Sequence, residues 1–348
     1  MKKRFKMTQM IASLLTGVVL VGCAGGTGGG AVQAGGDAPA AQTVTWRFAG
    51  FYPQNMHNSR SMTLFADYIN ERSDTLQIQT FYNAILGSEL ELGESVVAGT
   101  IEMVQVGTSF QAFLPNVQFN ETPFLFHGYD DAHLIMNDPR YFDLIMRGWE
   151  DLGVIPVRID PNGFRVISSR FPAYSMADLE GLRLRVPNIP QFLQMADALG
   201  TAFIALPLPE VFTALEQGVA DAQENFLFNT YASGFYELQN YIIETNHMLS
   251  TSTWMINADA YNALSPQDQQ LISEAAALAN EYVWQALRGG LTDIIDHMEA
   301  SGITFITPDD SFSSDMREAM VDVWGWYHEV NPDAAELFEL VEYIRAGN

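Results

Sequence analysis

The chain has 348 residues, enough for two ordinary domains. Apolar residues make up 48% and charged residues 17%, the composition of a globular chain and not of a disordered one. There are 17 Lys and Arg against 42 Asp and Glu, for a formal net charge of −25, and so acidic a surface excludes nucleic acid as a partner, because phosphates demand a basic patch.

Residues 1–22 join a basic start (Lys2, Lys3, Arg4, Lys6) to an apolar run from Ile11 to Val21. The run is too short for an ordinary transmembrane span and reads as a signal peptide. It ends in Leu20-Val21-Gly22-Cys23, which resembles a bacterial lipobox, where the cysteine is lipidated and becomes the new N-terminus. Cys23 is the only cysteine, so it is read as a lipid anchor, and a disulfide framework is impossible. Residues 23–42 are Gly/Ala-rich, the composition of a flexible tether. The expectation is a lipoprotein at the outer face of a membrane, in the periplasm or its equivalent.

Val44, Trp46 and Phe48 alternate as a first strand. A helix is expected from about Ser59 to Arg72, with Met62, Phe65 and Ile69 inward, and Leu76–Phe81 is a second strand. Ser88 is the N-cap of a helix through about Val97, which Gly99 closes, and a strand follows over Ile101–Val106. Strands alternating with helices argue for a mostly parallel sheet. Phe119–Phe126 reads as a buried connection. Helices follow from about Asp130 to Met136 and on to Leu152, then a strand over Val154–Ile159. After Asn162-Gly163 the chain is expected to cross into a second lobe, with Arg165 and Val166 on a strand.

In Leu182–Val186 apolar and basic residues alternate, so Leu182, Leu184 and Val186 face one side and Arg183 and Arg185 the other. Pro187 ends the strand. A helix spans Pro190 to about Leu199 and stops at Gly200. A second runs from about Pro209-Glu210 to Gly218, with Val211, Phe212 and Leu215 inward. The chain then re-enters a strand that ends at Gln223-Glu224-Asn225. Met248–Ile256 reads as a strand returning to the first lobe. Ser265, Pro266 and Asp268 are an N-cap, a first-turn proline and an acid three residues on. They open a helix to about Ala300, with Leu271, Ala275, Leu278, Tyr282 and Ala286 on one face and a bend at Gly289-Gly290. Such length suits a helix lying across two lobes. The expected division is 43–162 with 251–290 as lobe I, and 163–250 with 291–348 as lobe II.

The chemistry on offer is binding and not catalysis. Beyond Cys23 and the three lysines of residues 1–22 there is no thiol or amine for covalent catalysis. No G-x-S-x-G, P-loop or H-E-x-x-H motif occurs. His127, Asp130, Asp131 and His133 read as a capped helix start, so no metal is expected, and no cofactor either. His247 reads as a satisfied histidine where the chain crosses between lobes. Glu89, Glu91 and Glu94 read as a solvated helix face, although one of them could meet a ligand hydroxyl. Arg165 and Arg185 leave two readings open. Each could form a structural ion pair, or present a guanidinium fork to a ligand carboxylate. Aromatic walls would come from Phe51, Tyr52, Phe164 or Trp254.

Several blocks resemble one family. GLRLRVPN, ALG and EVFTALEQGVADAQEN (within 181–225) are similar to the solute-binding subunits of TRAP (tripartite ATP-independent periplasmic) transporters, the DctP family. ILGSELELGESVVAGTIEMVQVGT, ETPFLFHGYDDAH, Asn162-Gly163-Phe164-Arg165, Thr245-Asn246-His247 and INADAYNALSPQDQQLI resemble further blocks of the same family, in order from about Trp46 onward. Two positions depart from it: Phe226 replaces the proline of QENP, and Leu208 stands where many members carry an aromatic. The resemblance implies an α/β, two-lobed clamp. Each lobe is a mixed sheet flanked by helices, and a long helix spans both. It implies that Arg185 binds the carboxylate of an organic acid (a C4-dicarboxylate, sugar acid or oxo acid), with Asn225 beside it and Arg165 on a second polar group. Asn162, Phe51, Glu89, Leu208 and Trp254 complete the expected site. The implied partners are integral-membrane permease subunits. A sensor, or an enzyme on the same clamp, is the alternative.

Overall fold

Strand-forming stretches recur along the chain and pair into one extended, mixed sheet in the computed structural model. It describes residues 43–347 except 108, 109 and 111–113. The signal segment, Cys23 and the tether lie outside the described residues. The strands are β1 (Val44–Ala49), β2 (Leu76–Phe81), β3 (Met103–Val106), β4 (Val154–Ser169), β5 (Leu184–Val186), β6 (Ile204–Ala205), β7 (Ala222–Phe226), β8 (Tyr241–Ile243), β9 (Leu249–Asn257) and β10 (Thr304–Ile306). Their order is β2-β1-β3-β9-β4-β7-β5-β6, with β8 on β4 and β10 on β8. The β1–β2, β1–β3, β5–β6, β5–β7 and β8–β10 pairs are parallel. The join is antiparallel, because β4 and β9 run side by side between the two parallel groups. The expectation of a mostly parallel sheet fails there.

β4 is one strand of 16 residues, where the sequence suggested two. Its two prolines each sit at a shift of register against β9, between Pro156 and Arg158 and between Pro161 and Gly163. A bulge tolerates proline because the missing N–H is not needed in the ladder. Gly163 completes the second bulge at φ +130°, a conformation strained for any side chain.

The first parallel group is packed on both faces. Trp46, Phe48, Met103, Trp254 and Ile256 meet the helix His57–Asn70 on one face, through Met62, Phe65 and Ile69. Ala49, Val104, Val106 and Met255 meet Leu92, Val96 and Trp149 on the other. Around the second group, Leu184 and Val186 pack with Phe192, Met195 and Ile167, as their alternation predicts.

The helix Pro266–Ala300 links these cores. Its N-cap is as expected: the Ser265 hydroxyl accepts from the Asp268 N–H at 3.1 Å. The Asp268 carboxylate accepts from Ser73 (2.6 Å), Thr75 (2.8 Å) and Ser265 (2.7 Å). Ile272, Ala275 and Ala279 enter the first core, Val283 and Leu287 enter a cluster with Tyr52 and Phe226, and Met298 joins Val166 and Ile242. The buried stripe therefore steps by four residues from Ala275, and Leu278 is 39% exposed. Helical hydrogen bonding continues through Gly289-Gly290. The segment 291–348, expected in lobe II, packs on both cores. Phe312, Met316 and Met320 join the second core, whereas Leu337, Val341 and Ile344 pack with Val104 and Trp149 in the first. No helix among the described residues is long and apolar enough to cross a membrane.

Candidate functional site

Ligands of open α/β sheets gather beyond the carboxyl ends of parallel strands. A cavity of about 500 Å³ opens in this chain where β5 and β7 end. Phe51, Tyr52, Ala84, Ser88, Glu89 and Leu90 line it, together with Arg165, Arg185, Asn188, Leu208, Asn225, Phe226 and Asn229. The rest of its wall is proline: Pro187, Pro207 and Pro209.

The two arginines differ in kind. β4 pairs with β7 so that Arg165 opposes Phe226 and Ile167 opposes Glu224, which leaves Arg165 diagonal to Glu224. Arg165 Nε and Nη2 both donate to the Glu224 carboxylate, the second at 2.8 Å, and Nη1 reaches the Ser250 hydroxyl at 3.3 Å. Burial works against charge on Glu224, but Arg165 and His247 hold its carboxyl down at about 2. His247 is wholly buried, with Nδ1 2.8 Å from the Thr245 hydroxyl and Nε2 3.6 Å from Glu224. Arg165 thus has the structural ion pair that the sequence left as one of its two readings.

Among the described residues Arg185 has no such ion pair. It is 2% exposed. Nε donates to the Leu206 carbonyl at 2.9 Å and Nη2 donates to the same oxygen, while Nη1 has no acceptor among the described residues. A buried cation without an opposite charge is costly. Burial pulls this guanidinium down to about 9, with Arg165 adding to the effect. Arg183, just before the strand, is exposed and paired with Asp221.

The remaining expected residues separate by position. Phe51, Glu89, Leu208 and Asn225 line the cavity with Arg165 and Arg185. Asn162 lies one layer behind: its amide donates to the Tyr52 hydroxyl at 2.9 Å, and its oxygen accepts from Asn58 at 2.7 Å. It braces the Tyr52 ring, which stands 4.0 Å from Phe51 and 5.7 Å from Phe226 between centroids. Trp254 is a correction. Alternation along β9 turns it into the first core, where its ring meets Phe48 at 4.8 Å and carries the Arg158 guanidinium at 4.5 Å. Phe164 likewise packs on Tyr129 at 5.1 Å, away from this cavity. Phe212, expected inward, is 38% exposed.

Sequence reasoning missed Glu224 and Asn229. Glu224 lies inside the QEN block, and only the β4–β7 register gives it to Arg165. Asn229 follows Asn225 on the short helix Leu227–Ala232. Its oxygen accepts from Ser233 at 2.9 Å, and its Nδ2 is buried with no acceptor among the described residues. The loop carrying Ala84 is held at φ +55° by N–H bonds to the Tyr52 and Gly50 carbonyls.

The arrangement can seat an anion and hydrogen-bonding groups between aromatic walls. Among the described residues, no group of three or more His, Cys, Asp or Glu could hold a metal. Asp130 and Asp131 instead pair with Arg288 and Arg345.

The family model of the bacterial extracellular solute-binding proteins, family 7 (DctP), matches residues 48–329. The 2,3-diketo-L-gulonate-binding periplasmic protein YiaO of Escherichia coli is 28% identical, over 88% of this chain and 93% of its own. A TRAP periplasmic solute-binding protein of Desulfovibrio desulfuricans, solved with bound sn-glycerol-3-phosphate, superposes with a TM-score of 0.83 at 30% identity, covering 87% of this chain and 97% of that one. One from Haemophilus influenzae, solved with L-gulonate, superposes with a TM-score of 0.82 at 28% identity, covering 86% and 99%.

Proposed function

Because the chain belongs to the DctP family of bacterial extracellular solute-binding proteins, the binding subunits of TRAP transporters, we propose that it captures a small organic acid through Arg185 and hands it to membrane permease subunits. The observation that carries this reading is the Arg185 guanidinium: buried, facing the cavity, with Nη1 unpaired among the described residues. A carboxylate arriving there accepts a charge-assisted hydrogen bond and neutralises a cation that burial opposes. Asn225 and Asn229 supply amides for the rest of the ligand. Phe51, Tyr52 and Phe226 supply walls that keep water from the contact. Arg165, already held by Glu224, acts by fixing the floor of the site.

The relative solved with L-gulonate and the one named as 2,3-diketo-L-gulonate-binding favour a sugar acid over the other acids. The family's role is binding, and no catalytic step is assigned to this site. Export by the 1–22 segment, lipidation of Cys23 and the tether to residue 42 would hold the protein beside its permease. A thermal-shift screen of the purified protein against sugar acids, oxo acids and C4-dicarboxylates tests the reading, since binding to the native state alone must raise the melting temperature. One acid class should give a shift that Arg185→Ala abolishes. A shift that survives Arg185→Ala would move the carboxylate elsewhere.

A further inference from the structure

Resting on the carboxylate contact at Arg185, we infer that this cleft selects a monoanion with a hydroxylated tail over a dianion, and that Glu89 is the residue that enforces the choice. The charged side chains among the described residues lining the cavity are Glu89, Arg165 and Arg185. Glu224 already neutralises Arg165. One cation, Arg185, is left for the ligand, and one carboxylate, Glu89, faces the same space.

Glu89 is fixed in place. It sits in the first turn of the helix Glu89–Val97, and its Oε1 accepts from the Phe110 N–H at 3.3 Å. The pocket around that oxygen is tight. A Cβ added at Gly107 would stand 3.2 Å from Oε1, 3.0 Å from the Phe51 ring and 3.4 Å from the Tyr52 hydroxyl. The Glu89 charge is felt across the cleft, where it adds to the burial that raises the Tyr52 hydroxyl and works against the burial that lowers Arg185.

A ligand anchored by one carboxylate on Arg185 extends its other end into this space. A hydroxyl there donates to the Glu89 carboxylate. A second carboxylate has no cation left to meet, loses its water and is repelled by Glu89. Selectivity of this kind comes from a repulsive element and not from a better contact.

Matched acids that differ only at the far carbon isolate the effect: gluconate against glucarate, and galactonate against galactarate. Affinities are measured by titration calorimetry at neutral pH on the native protein, Glu89→Gln and Arg185→Ala, with Glu89→Ser in reserve should Glu89→Gln misfold. At least one monoacid should bind about tenfold or more tighter than its diacid, and Glu89→Gln should erase most of that ratio by gaining affinity for the diacid. A native protein that binds both members of a pair alike, with Arg185→Ala weakening both, would overturn the inference and leave the Arg185 reading standing. So would an unchanged ratio in Glu89→Gln. Binding that Arg185→Ala leaves intact, or no binding by either class, would overturn the Arg185 reading and this inference with it.

Discussion

Replacing Arg185 by Met should move folding and binding in opposite directions. Methionine keeps most of the apolar bulk and removes the charge. In the ligand-free protein the guanidinium is buried with no ion pair among the described residues, and burial, only partly offset by Glu224 and Glu89, lowers it from 12.5 to about 9. A drop of that size corresponds to about 5 kcal/mol against the charged form. The substitution also leaves the Leu206 carbonyl without its two N–H donors, which costs about 1–3 kcal/mol. The balance favours the variant by about 2–4 kcal/mol as a ceiling, so ligand-free Arg185→Met should melt at the native temperature or a few degrees above it. Binding should respond the other way. Truncating one partner of a desolvated charge pair costs about 2–5 kcal/mol, so the dissociation constant for the acid should rise about a hundredfold. Scanning calorimetry of the ligand-free pair, followed by titration with the acid found in the screen, reads both effects. A ligand-free variant that melts well below the native protein would refute the reasoning, because Arg185 would then be holding the fold together.

Glu224→Gln should behave in the contrary sense: it strands Arg165 in the interior, and urea unfolding should show a loss of about 3–5 kcal/mol. Glu224 also makes stability depend on acidity. Its carboxyl is depressed from 4.5 to about 2 in the folded chain, so its contribution is complete above 4.5 and disappears as pH falls toward about 2, a loss of about 3 kcal/mol. Urea titrations at pH 6 and pH 3 should show about 2 kcal/mol of that loss in the native protein, and less in Glu224→Gln. Gly93→Ala should cost about 1–3 kcal/mol in thermal or urea unfolding, because a Cβ there would lie 2.1 Å from the Phe110 ring. Phe110 also donates its N–H to Glu89, so the same substitution should weaken ligand binding in calorimetry.

The readable parts of the sequence were those written in local patterns. Ser265, Pro266 and Asp268 announce the long helix, because an N-cap and a first-turn proline act within one turn. Leu182, Leu184 and Val186 announce the face of β5, because only one side of that strand is apolar. Arg185 could be singled out for the same reason. The rest required neighbours distant in sequence. Every residue of β9 is buried, so alternation says nothing about which way Trp254 points. Leu278 looks like part of a helical stripe, but the helix buries small alanines instead, at Ala275, Ala276 and Ala279. Asn162-Gly163 looks like a strand end until β9 is laid alongside, where two shifts of register let one strand run from Val154 to Ser169. Arg165 could not be told from Arg185 until the β4–β7 pairing brought Glu224 to one and left the other without an acid.

The order of the strands also sets when the protein can fold. β3 takes as its sheet neighbour β9, which begins at Leu249. A nascent chain that has released everything up to His247 therefore still carries β3 as an open edge, and β4 lacks its longest partner. Contacts of such sequence separation form late, since the intervening chain must first give up its loop entropy. No early fragment can close the first core and lock. The two parallel groups are therefore joined late, once β9 and the long helix that follows it have been made.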